Sequence, residues 1–239
     1  MKPAAIILAA GVGKRFGGAL ADQPKGLLDV GGETLLGRLV RQLRAAGVRE
    51  IVIVVGFGGE HVVAAFGDQP GVRILQNPDF RRGAILSLYT ARDWLERSVL
   101  VMDADVFGPD ALVARLVDSR HESCFLLDSR SEASGEEQML MVKGDRVQDI
   151  ARIPRGAFDR MGESVGFLKL GPAAAARLRE LLAERIDRGE IDLEHEEVYP
   201  TLLVEVEVGF ELVDDLSWTE VDFPDDLERA RKIAADIES

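Results

Sequence analysis

Apolar runs that suit buried strands alternate with amphipathic stretches of helical spacing through the first half of the chain. The apolar runs predict strands at 4–10, 50–56, 72–77, 99–105 and 123–128. Helices are predicted between them in ETLLGRLVRQLRAAG, HVVAAFG, AILSLYTARDWLE and PDALVARLVDS. Such alternation predicts a parallel sheet with right-handed crossovers and helices on both faces.

The second half of the chain has a different pattern. Two apolar runs flank a Lys-Gly-Asp turn at 143–145 and predict an antiparallel hairpin. A strand in ESVGFLKLG then precedes a helix with Pro172 in its first turn, and a short strand at 218–223 precedes the closing helix. We therefore expect one three-layer, Rossmann-like α/β domain over 1–239, mostly parallel at first and mixed or antiparallel after about residue 128.

The composition is that of an ordinary globular chain with a strongly acidic balance. Of its 239 residues, 46% are hydrophobic and 30% are charged, and the formal net charge is −13. That charge argues against nucleic acid as a partner, because phosphate backbones are held by clustered lysine and arginine. No apolar run approaches the roughly 18 residues that span a bilayer, so no membrane insertion is expected.

The N-terminal stretch MKPAAIILAAG and the cysteine content bear on the compartment. The apolar stretch runs directly into glycine and charged residues, which favours a buried first strand over a signal peptide. Cys124 is the sole cysteine and lies in the apolar run SCFLLD, so it forms no internal disulfide and is expected in the core. A reducing, cytoplasmic location is predicted, and a homodimer is compatible with the sequence.

The first candidate functional residues lie in the stretch LAAGVGKRFGG at 8–18, which runs from the end of the first predicted strand into a glycine-rich turn. A P-loop is excluded, because Gly13-Lys14 is followed by Arg15 where serine or threonine belongs. A dinucleotide fingerprint fits poorly, because Phe16 stands where its third glycine belongs and no acidic residue ends the second predicted strand.

A third phosphate-binding pattern fits this stretch: a strand, then L-A-A-G-x-G-x-R, then Pro24-Lys25. Small residues at 10–13 let backbone amides wrap a triphosphate at close range. Arg15 and Lys25 would neutralise the charge of its β- and γ-phosphates. The loop is therefore predicted to hold a nucleoside triphosphate, and the alternative is a solvated turn with incidental cations.

The stretch LAAGVGKRFGG…QPKGLLDVGGETLL resembles the signature of the sugar-phosphate nucleotidyltransferase superfamily, the MobA-like NTP transferases. Within it the chain is similar to the bacterial phosphocholine cytidylyltransferase group, through SLY at 87–89, MDAD at 102–105 and EVD at 220–222. The resemblance implies a Mg²⁺-dependent transfer of CMP from CTP to a small phosphorylated or phosphonate alcohol, with release of pyrophosphate. It also implies a nucleotide-binding half at about 1–128 and an acceptor-binding, metal-completing half at about 129–239.

The resemblance carries site roles over to particular positions. Catalytic charge stabilisation falls to Lys25 and Arg15. The predicted nucleotide-binding set is Leu8, Ala9, Ala10, Gly11, Gly13, Lys14, Gln76, Gly83, Ser87 and Asp103. Cytosine as the base rests on the subfamily resemblance alone.

A metal site is predicted from two aspartates that lie far apart in the chain. Mg²⁺ prefers carboxylates and water, and Asp105 and Asp222 each end a predicted strand. Because the resembling family uses such a pair, we place Mg²⁺ on these two residues, with Asp103 and Glu220 as neighbours open to a second metal or an acceptor cation. The alternative is that Asp103 and Asp222 cap the turn and the helix that follow them.

The acceptor site is predicted from weaker matches to the family. Its candidate residues are Glu136, Arg152, Glu163, Gly166, Trp218 and Glu220. The stretch that resembles the choline-binding part, GEEQMLMV, contains no aromatic residue to hold a quaternary ammonium. Phosphocholine, aminoethylphosphonate, inositol phosphate and sugar phosphates therefore stay open as acceptors. A molybdopterin guanylyltransferase and a non-catalytic nucleotide-binding regulator are the remaining alternatives.

The histidines and one charge run complete the candidate residues. His61, His121 and His195 are interpreted as structural or solvated, because none pairs with a cysteine, serine or aspartate in a nucleophilic arrangement. The run DLEHEEV is expected to be a solvated helix face, with closure over the acceptor as the alternative.

Overall fold

A mixed sheet forms the centre of the molecule, which we describe from a computed structural model covering residues 2–13, 16 and 23–237. In chain order the strands are β1 (Ala4–Ala9), β2 (Asp29–Val30), β3 (Glu33–Thr34), β4 (Ile51–Val55), β5 (Val72–Gln76), β6 (Val99–Asp103), β7 (Val106–Phe107), β8 (Cys124–Asp128), β9 (Met139–Lys143), β10 (Arg146–Ala151), β11 (Arg160–Leu170), β12 (Gly209–Leu212) and β13 (Thr219–Glu220). The α-helices are α1 (Leu35–Ala45), α2 (Gly59–Phe66), α3 (Ile85–Thr90), α4 (Asp110–Asp118), α5 (Pro172–Asp187), α6 (Tyr199–Glu205) and α7 (Pro224–Ile237).

Strand order in the central sheet places the predicted phosphate loop beside the predicted metal ligands. Within the described residues the sheet has nine strands, and its main path runs β10-β9-β11-β6-β1-β4-β5. β1 pairs in parallel with β4 and β6, and β4 with β5, which confirms the parallel block. Leu8 of β1 lies opposite Asp103 of β6, so the carboxyl ends of both strands meet at the edge where ligands collect in such sheets.

The predicted strand at 123–128 is not the fifth member of that parallel block, and here the expectation was wrong. β8 pairs antiparallel with β11 and parallel with β12, and β11 lies between β8 and β6. An apolar strand buried on both faces has the same sequence pattern in either arrangement, so periodicity does not reveal its partner. β11 thereby joins the two halves of the chain in one sheet, which is mixed in its second half as expected.

Helices cover both faces of the sheet. Ile7 of β1 belongs to a core shared with α1 and α4, whereas Ile6 faces a core shared with α3, α5 and α6. A smaller cluster joins α7 to Phe107 and Val221 and so attaches the end of the chain near β7. Cys124 is buried as expected, and burial raises the pKa of its thiol to about 11.

Several elements differ in extent from the prediction. The helix expected over 84–96 ends at Thr90 and continues as a separate 3₁₀ turn at Arg92–Trp94. The strand expected at 218–223 is reduced to β13. α6 has seven residues and β12 has four, so neither carries enough periodicity to be predicted. Among the described residues, no helix is both long enough and apolar enough to cross a membrane.

Candidate active site

A cavity of about 380 Å³ opens where β1 and β6 end. Six of the predicted nucleotide-binding residues line it, namely Leu8, Ala10, Gly11, Gly13, Ser87 and Asp103. The predicted ion ligands and catalytic lysine line it as well, together with two predicted acceptor residues: Lys25, Asp105, Asp222, Arg152 and Glu220. Residues that the sequence placed in separate functional sets therefore share one cavity.

The glycine loop leaves β1 directly into this cavity. Leu8 accepts a backbone hydrogen bond from Ala104 (3.2 Å), and this bond joins the end of β1 to the turn after β6. Gly13 has φ of 61°, a conformation that favours glycine, and a side chain at Gly11 would meet open space. The backbone at 11–13 is therefore accessible to a ligand in the cavity. Lys14 and Arg15, which the sequence assigns to phosphate binding, lie outside the described residues.

A small two-stranded sheet brings the distant carboxylates together. β13 pairs antiparallel with β7, with Glu220 opposite Val106, and the backbone amide of Val221 donates to the backbone carbonyl of Asp105 (2.9 Å). These contacts fix the segment that carries Asp222 beside the segment that follows β6. One carboxylate oxygen each from Asp105, Glu220 and Asp222 lies within 4.8 Å of the others.

Lys25 lies between two of these carboxylates. It begins a 3₁₀ turn at Lys25–Leu27, and its Nζ donates to Asp105 (2.8 Å) and to Asp222. Its side chain is only 14% exposed, so the ion pairs are shielded from water. Burial alone would lower the pKa of Lys25, but the two carboxylates outweigh this effect and raise the pKa, so the ammonium stays charged.

The cavity concentrates negative charge. Burial raises the pKa of Asp103 well above its ordinary value, and the charges of Glu196 and Asp105 raise it further. Glu220 remains exposed toward the cavity, yet partial enclosure and the charges of Asp105 and Asp222 raise its pKa as well. Carboxylate oxygens are the donors that Mg²⁺ prefers, and the Lys25 ammonium already occupies a cation's position between two of them. The set at Asp105, Glu220 and Asp222 therefore fits a divalent ion.

The first turn of α7 was the alternative explanation for Asp222. The backbone amides of Asp222 and Phe223 both donate to the carboxylate of Asp226, at 3.1 and 2.8 Å. Asp226 thus supplies the side-chain acceptor at this helix start. The carboxylate of Asp222 accepts from Lys25 and remains at the cavity.

The residues predicted to contact the base have contacts of their own. Ser87 is buried, and its Oγ accepts from Asn77 (3.0 Å), which ties α3 to the segment after β5. Gln76 donates to the backbone of Gly56 (3.2 Å), and Ala9 is buried within β1, so neither residue lines the cavity. A side chain at Gly83 would come within 2.2 Å of the Leu193 backbone, so glycine is needed there for chain packing. Base recognition by Gln76, Gly83 and Ser87 stays a prediction.

The predicted acceptor residues divide into two groups. Arg152 and Glu220 line the cavity, and Gly166 borders it beside Asp103. The remaining three do not line it. Glu136 is exposed on the loop before β9, and the Trp218 indole donates to Asp128 (2.8 Å). Glu163 lies half-buried in β11, and burial raises its pKa. For these three an acceptor role stays a prediction, and the structure gives them no contact with the cavity.

The segment DLEHEEV contributes to the cavity wall, where the sequence favoured a solvated helix face and left closure over the acceptor as the alternative. Glu194, His195 and Glu196 line the cavity. His195 is only 5% exposed, and it begins a 3₁₀ turn at His195–Val198. The available signal was the apolar pair at Val198 and Tyr199, which buries the turn against α3, α5 and β10 and so fixes the acidic side chains at the cavity.

Substitution of Gly166 tests whether the close packing of its backbone against Asp103 contributes to stability. Its φ is 79°, and a Cβ there would lie 2.7 Å from the Oδ2 of Asp103. We expect Gly166→Ala to lower the free energy of unfolding by more than the roughly 1–2 kcal/mol of left-handed strain alone. Gly144→Ala is the matched control, because Gly144 has φ of 62° and open space around its missing side chain. Equal losses in urea unfolding for both variants would show that the Asp103 contact is unimportant.

Comparisons with known proteins agree on one family. Residues 5–189 match the family model described as the MobA-like NTP transferase domain. The bifunctional IPC transferase and DIPP synthase of Rubrobacter xylanophilus is 35% identical over 235 residues, which cover 93% of this chain and 50% of that protein. The CMP-5'-(3-aminopropyl)phosphonate synthase of Streptomyces rubellomurinus is 29% identical over 246 residues, which cover 95% of this chain and 38% of that protein. The chain thus spans about half, or less, of the length of these two relatives.

A solved structure shares the fold over nearly its whole length. The CTP:phosphocholine cytidylyltransferase of Streptococcus pneumoniae superposes with a TM-score of 0.82 at 24% sequence identity. The superposition covers 98% of this chain and 99% of that one. The expected nucleotidyltransferase-type α/β architecture is therefore confirmed.

Proposed function

The chain belongs to the MobA-like NTP transferase family, and on that basis we propose that it is a cytidylyltransferase that joins CMP from CTP to a small phosphorylated or phosphonate acceptor. The observation that carries this proposal is the shared cavity. It combines an accessible glycine backbone at 11–13 with Lys25 and a carboxylate set that fits a divalent ion. A protein that merely bound nucleotide would have no need of a buried lysine between two ion-binding carboxylates.

The reaction divides into bond making and bond breaking at the α-phosphorus of CTP. An oxygen of the acceptor's phosphate or phosphonate attacks that phosphorus in line, and the bond to the β-phosphate oxygen breaks, so pyrophosphate leaves. The attacking dianion is already nucleophilic near neutral pH, so no side chain has to remove a proton. Catalysis then consists of alignment and charge neutralisation.

We assign separate tasks to the residues around the cavity. The amides at 11–13 hold the triphosphate, and Lys25 neutralises charge on the phosphoryl oxygens as the leaving group departs. Asp105 and Asp222 would hold Mg²⁺, with Glu220 beside them. An ion held there would supply positive charge that stabilises the phosphate groups. Arg15 keeps its sequence-based assignment to the β- and γ-phosphates.

CTP is proposed because a relative and a solved structure are named for cytidine nucleotides. One relative is named as a CMP-phosphonate synthase, and the solved structure belongs to a CTP:phosphocholine cytidylyltransferase. Neither observation identifies a base contact in this chain. The proposed preference for cytosine therefore rests on similarity to these proteins. It is tested separately from the reaction type.

The acceptor is proposed to lie toward Arg152. This residue lines both the main cavity and a neighbouring cavity of about 470 Å³ that also contains Arg155. Two guanidinium groups suit a phosphate or phosphonate. Among the described residues that line the neighbouring cavity none is aromatic, so a polar or amino-bearing acceptor fits better than choline.

The proposal is tested by measuring pyrophosphate release with each of the four nucleoside triphosphates, Mg²⁺ and a panel of acceptors. The panel contains phosphocholine, 2-aminoethylphosphonate, inositol 1-phosphate and glucose 1-phosphate. We expect release with CTP and at least one phosphate or phosphonate acceptor. Release only with GTP and molybdopterin would move the chain to another branch of the family, and no release with any pair would favour a nucleotide-binding regulator.

A further inference from the structure

A second cluster of ion-binding side chains lies next to the carboxylates already described. Asp103, His195 and Glu196 each offer one ligand atom, and these atoms lie within 4.8 Å of one another. His195 Nε2 is 3.8 Å from Asp103 Oδ1, and His195 Nδ1 is 3.0 Å from Glu196 Oε2. The cluster shares no residue with Asp105, Glu220 and Asp222, so it is a separate candidate.

Two buried polar atoms at this cluster have no hydrogen-bond partner. His195 is 5% exposed and lines the cavity, and its Nδ1 has no aligned hydrogen-bond partner despite the nearby Glu196. The Tyr199 hydroxyl also has none, although Tyr199 is 2% exposed and its ring packs edge-on against the imidazole at 5.7 Å. Buried polar groups are normally satisfied, so an imidazole of this kind in a cavity wall indicates a missing ligand.

The cluster lies among further acidic side chains. Asp105, Glu194 and Glu220 line the same cavity as Asp103 and Glu196. Lys25 also lines this cavity, but it is held by Asp105 and Asp222. A cation at the cluster would offset the negative charge of the surrounding carboxylates.

We propose that Asp103, His195 and Glu196 bind a second divalent cation of the class that accepts mixed nitrogen and oxygen ligands, such as Mn²⁺, Co²⁺ or Zn²⁺. Imidazole ligands suit transition ions, whereas Mg²⁺ selects sites built from oxygen. This inference goes beyond the proposed transfer reaction, because the site requires no nucleotide.

The ion would connect elements that are distant in sequence. Asp103 ends β6 of the central sheet, while His195 and Glu196 lie on the 3₁₀ turn before α6. Glu196 also lines the neighbouring cavity that contains Arg152 and Arg155. Occupancy of the cluster would therefore hold the turn against the sheet and stabilise the wall between the two cavities.

The test counts bound Mn²⁺ by electron paramagnetic resonance on nucleotide-free protein, with electron spin-echo modulation to detect imidazole nitrogen. We expect two ions per chain and a nitrogen signal in the wild type. His195→Ala and Glu196→Gln should each lose one ion or weaken it by at least about tenfold, and His195→Ala should lose the nitrogen signal. Asp222→Asn should lose the other ion and keep the nitrogen signal. His61→Ala is the matched control, since the His61 side chain is 53% exposed on α2, and it should keep both ions.

Several results would overturn the proposal. A wild type without a nitrogen signal, an ion count unchanged in His195→Ala, or a nitrogen signal that survives that substitution would each be incompatible with it. A single wild-type ion whose nitrogen signal is lost in His195→Ala would support the proposal and count instead against an ion at Asp105 and Asp222 in the absence of nucleotide. Loss of 2-aminoethylphosphonate binding in Glu196→Gln with no Mn²⁺ at the cluster would assign these residues to an acceptor ammonium instead. Glu196 is partly exposed, so the Mn²⁺ count of Glu196→Gln still tests the proposal if His195→Ala fails to fold. Because CTP is absent from the assay, its outcome does not depend on the transfer reaction.

Discussion

Lys25→Met is expected to lower kcat by about 10²- to 10³-fold while CTP binding stays within a few-fold of the wild type. Methionine keeps much of the length of the side chain but removes the charge that Lys25 holds beside the cavity, where its side chain is 14% exposed. A buried, fixed charge aimed at developing phosphate charge contributes far more than an exposed one. Single-turnover kinetics with labelled CTP, combined with calorimetric CTP binding, separates the two effects.

The same variant has a second expected property that a purely structural lysine would not share. Lys25 Nζ donates to both Asp105 and Asp222, so it competes with any cation for these carboxylates. Without nucleotide, Lys25→Met should therefore bind Mn²⁺ more tightly than the wild type. Lys2→Met is the control, because Lys2 forms an exposed surface ion pair with Asp118 at the other end of β1. Wild-type turnover in Lys25→Met would remove it from the catalytic machinery.

Asp222→Asn is expected to reduce turnover by about 10³-fold, with a matching loss of divalent-ion affinity. The asparagine keeps the shape of the side chain but removes one charged ligand from the set of Asp105, Glu220 and Asp222. Loss of a bound ion that neutralises transferring phosphate costs several kcal/mol of transition-state stabilisation. Turnover measured across a Mg²⁺ titration, with Mn²⁺ binding followed in parallel, checks both parts.

The control for this substitution is Asp145→Asn, which removes an exposed carboxylate from the β9–β10 turn. It should leave turnover and ion binding unchanged. If Asp222→Asn needs no more Mg²⁺ than the wild type and turns over at the same rate, Asp222 is not an ion ligand. The urea unfolding of both variants shows whether an altered rate reflects the site or the fold.

Much of the fold could be predicted because its elements carry local signals. The all-buried runs of β1, β4 and β6 and the amphipathic face of α1 are visible in the sequence, and the parallel block they form is confirmed. The family resemblance of the opening motif is confirmed as well, by a family match over residues 5–189. The parallel block and the family resemblance could both be predicted because each depends on patterns that are visible within short stretches of the chain.

Pairing between distant segments could not be predicted in the same way. β11 lies between β6 and β8, and β12 joins β8 from the far end of the chain. No local periodicity encodes a strand's neighbour, and four residues of β12 are too few to show a period. The arrangement depends on long-range packing that becomes visible only in the folded sheet.

The residues of the candidate site also divide into those that could be predicted from the sequence and those that could not. Asp105 and Asp222 could be paired in advance because each follows a strand and the resemblance linked them. For the acidic turn with His195 and Glu196 the favoured prediction was wrong, because a charged run is usually solvated, whereas this turn is buried through Val198 and Tyr199 beside it. Glu136, Glu163 and Trp218 were chosen by resemblance, but they lie away from the cavity, because resemblance at a motif does not fix side-chain direction.

The most direct test is a crystal structure with a non-hydrolysable CTP analogue and Mn²⁺, in which anomalous scattering locates the ion. We predict that the triphosphate lies against the backbone at 11–13 and that Asp105 and Asp222 coordinate the same ion, with Lys25 moved from their carboxylates toward phosphate. An empty cavity, or an ion that contacts neither aspartate while nucleotide binds elsewhere, would contradict the account.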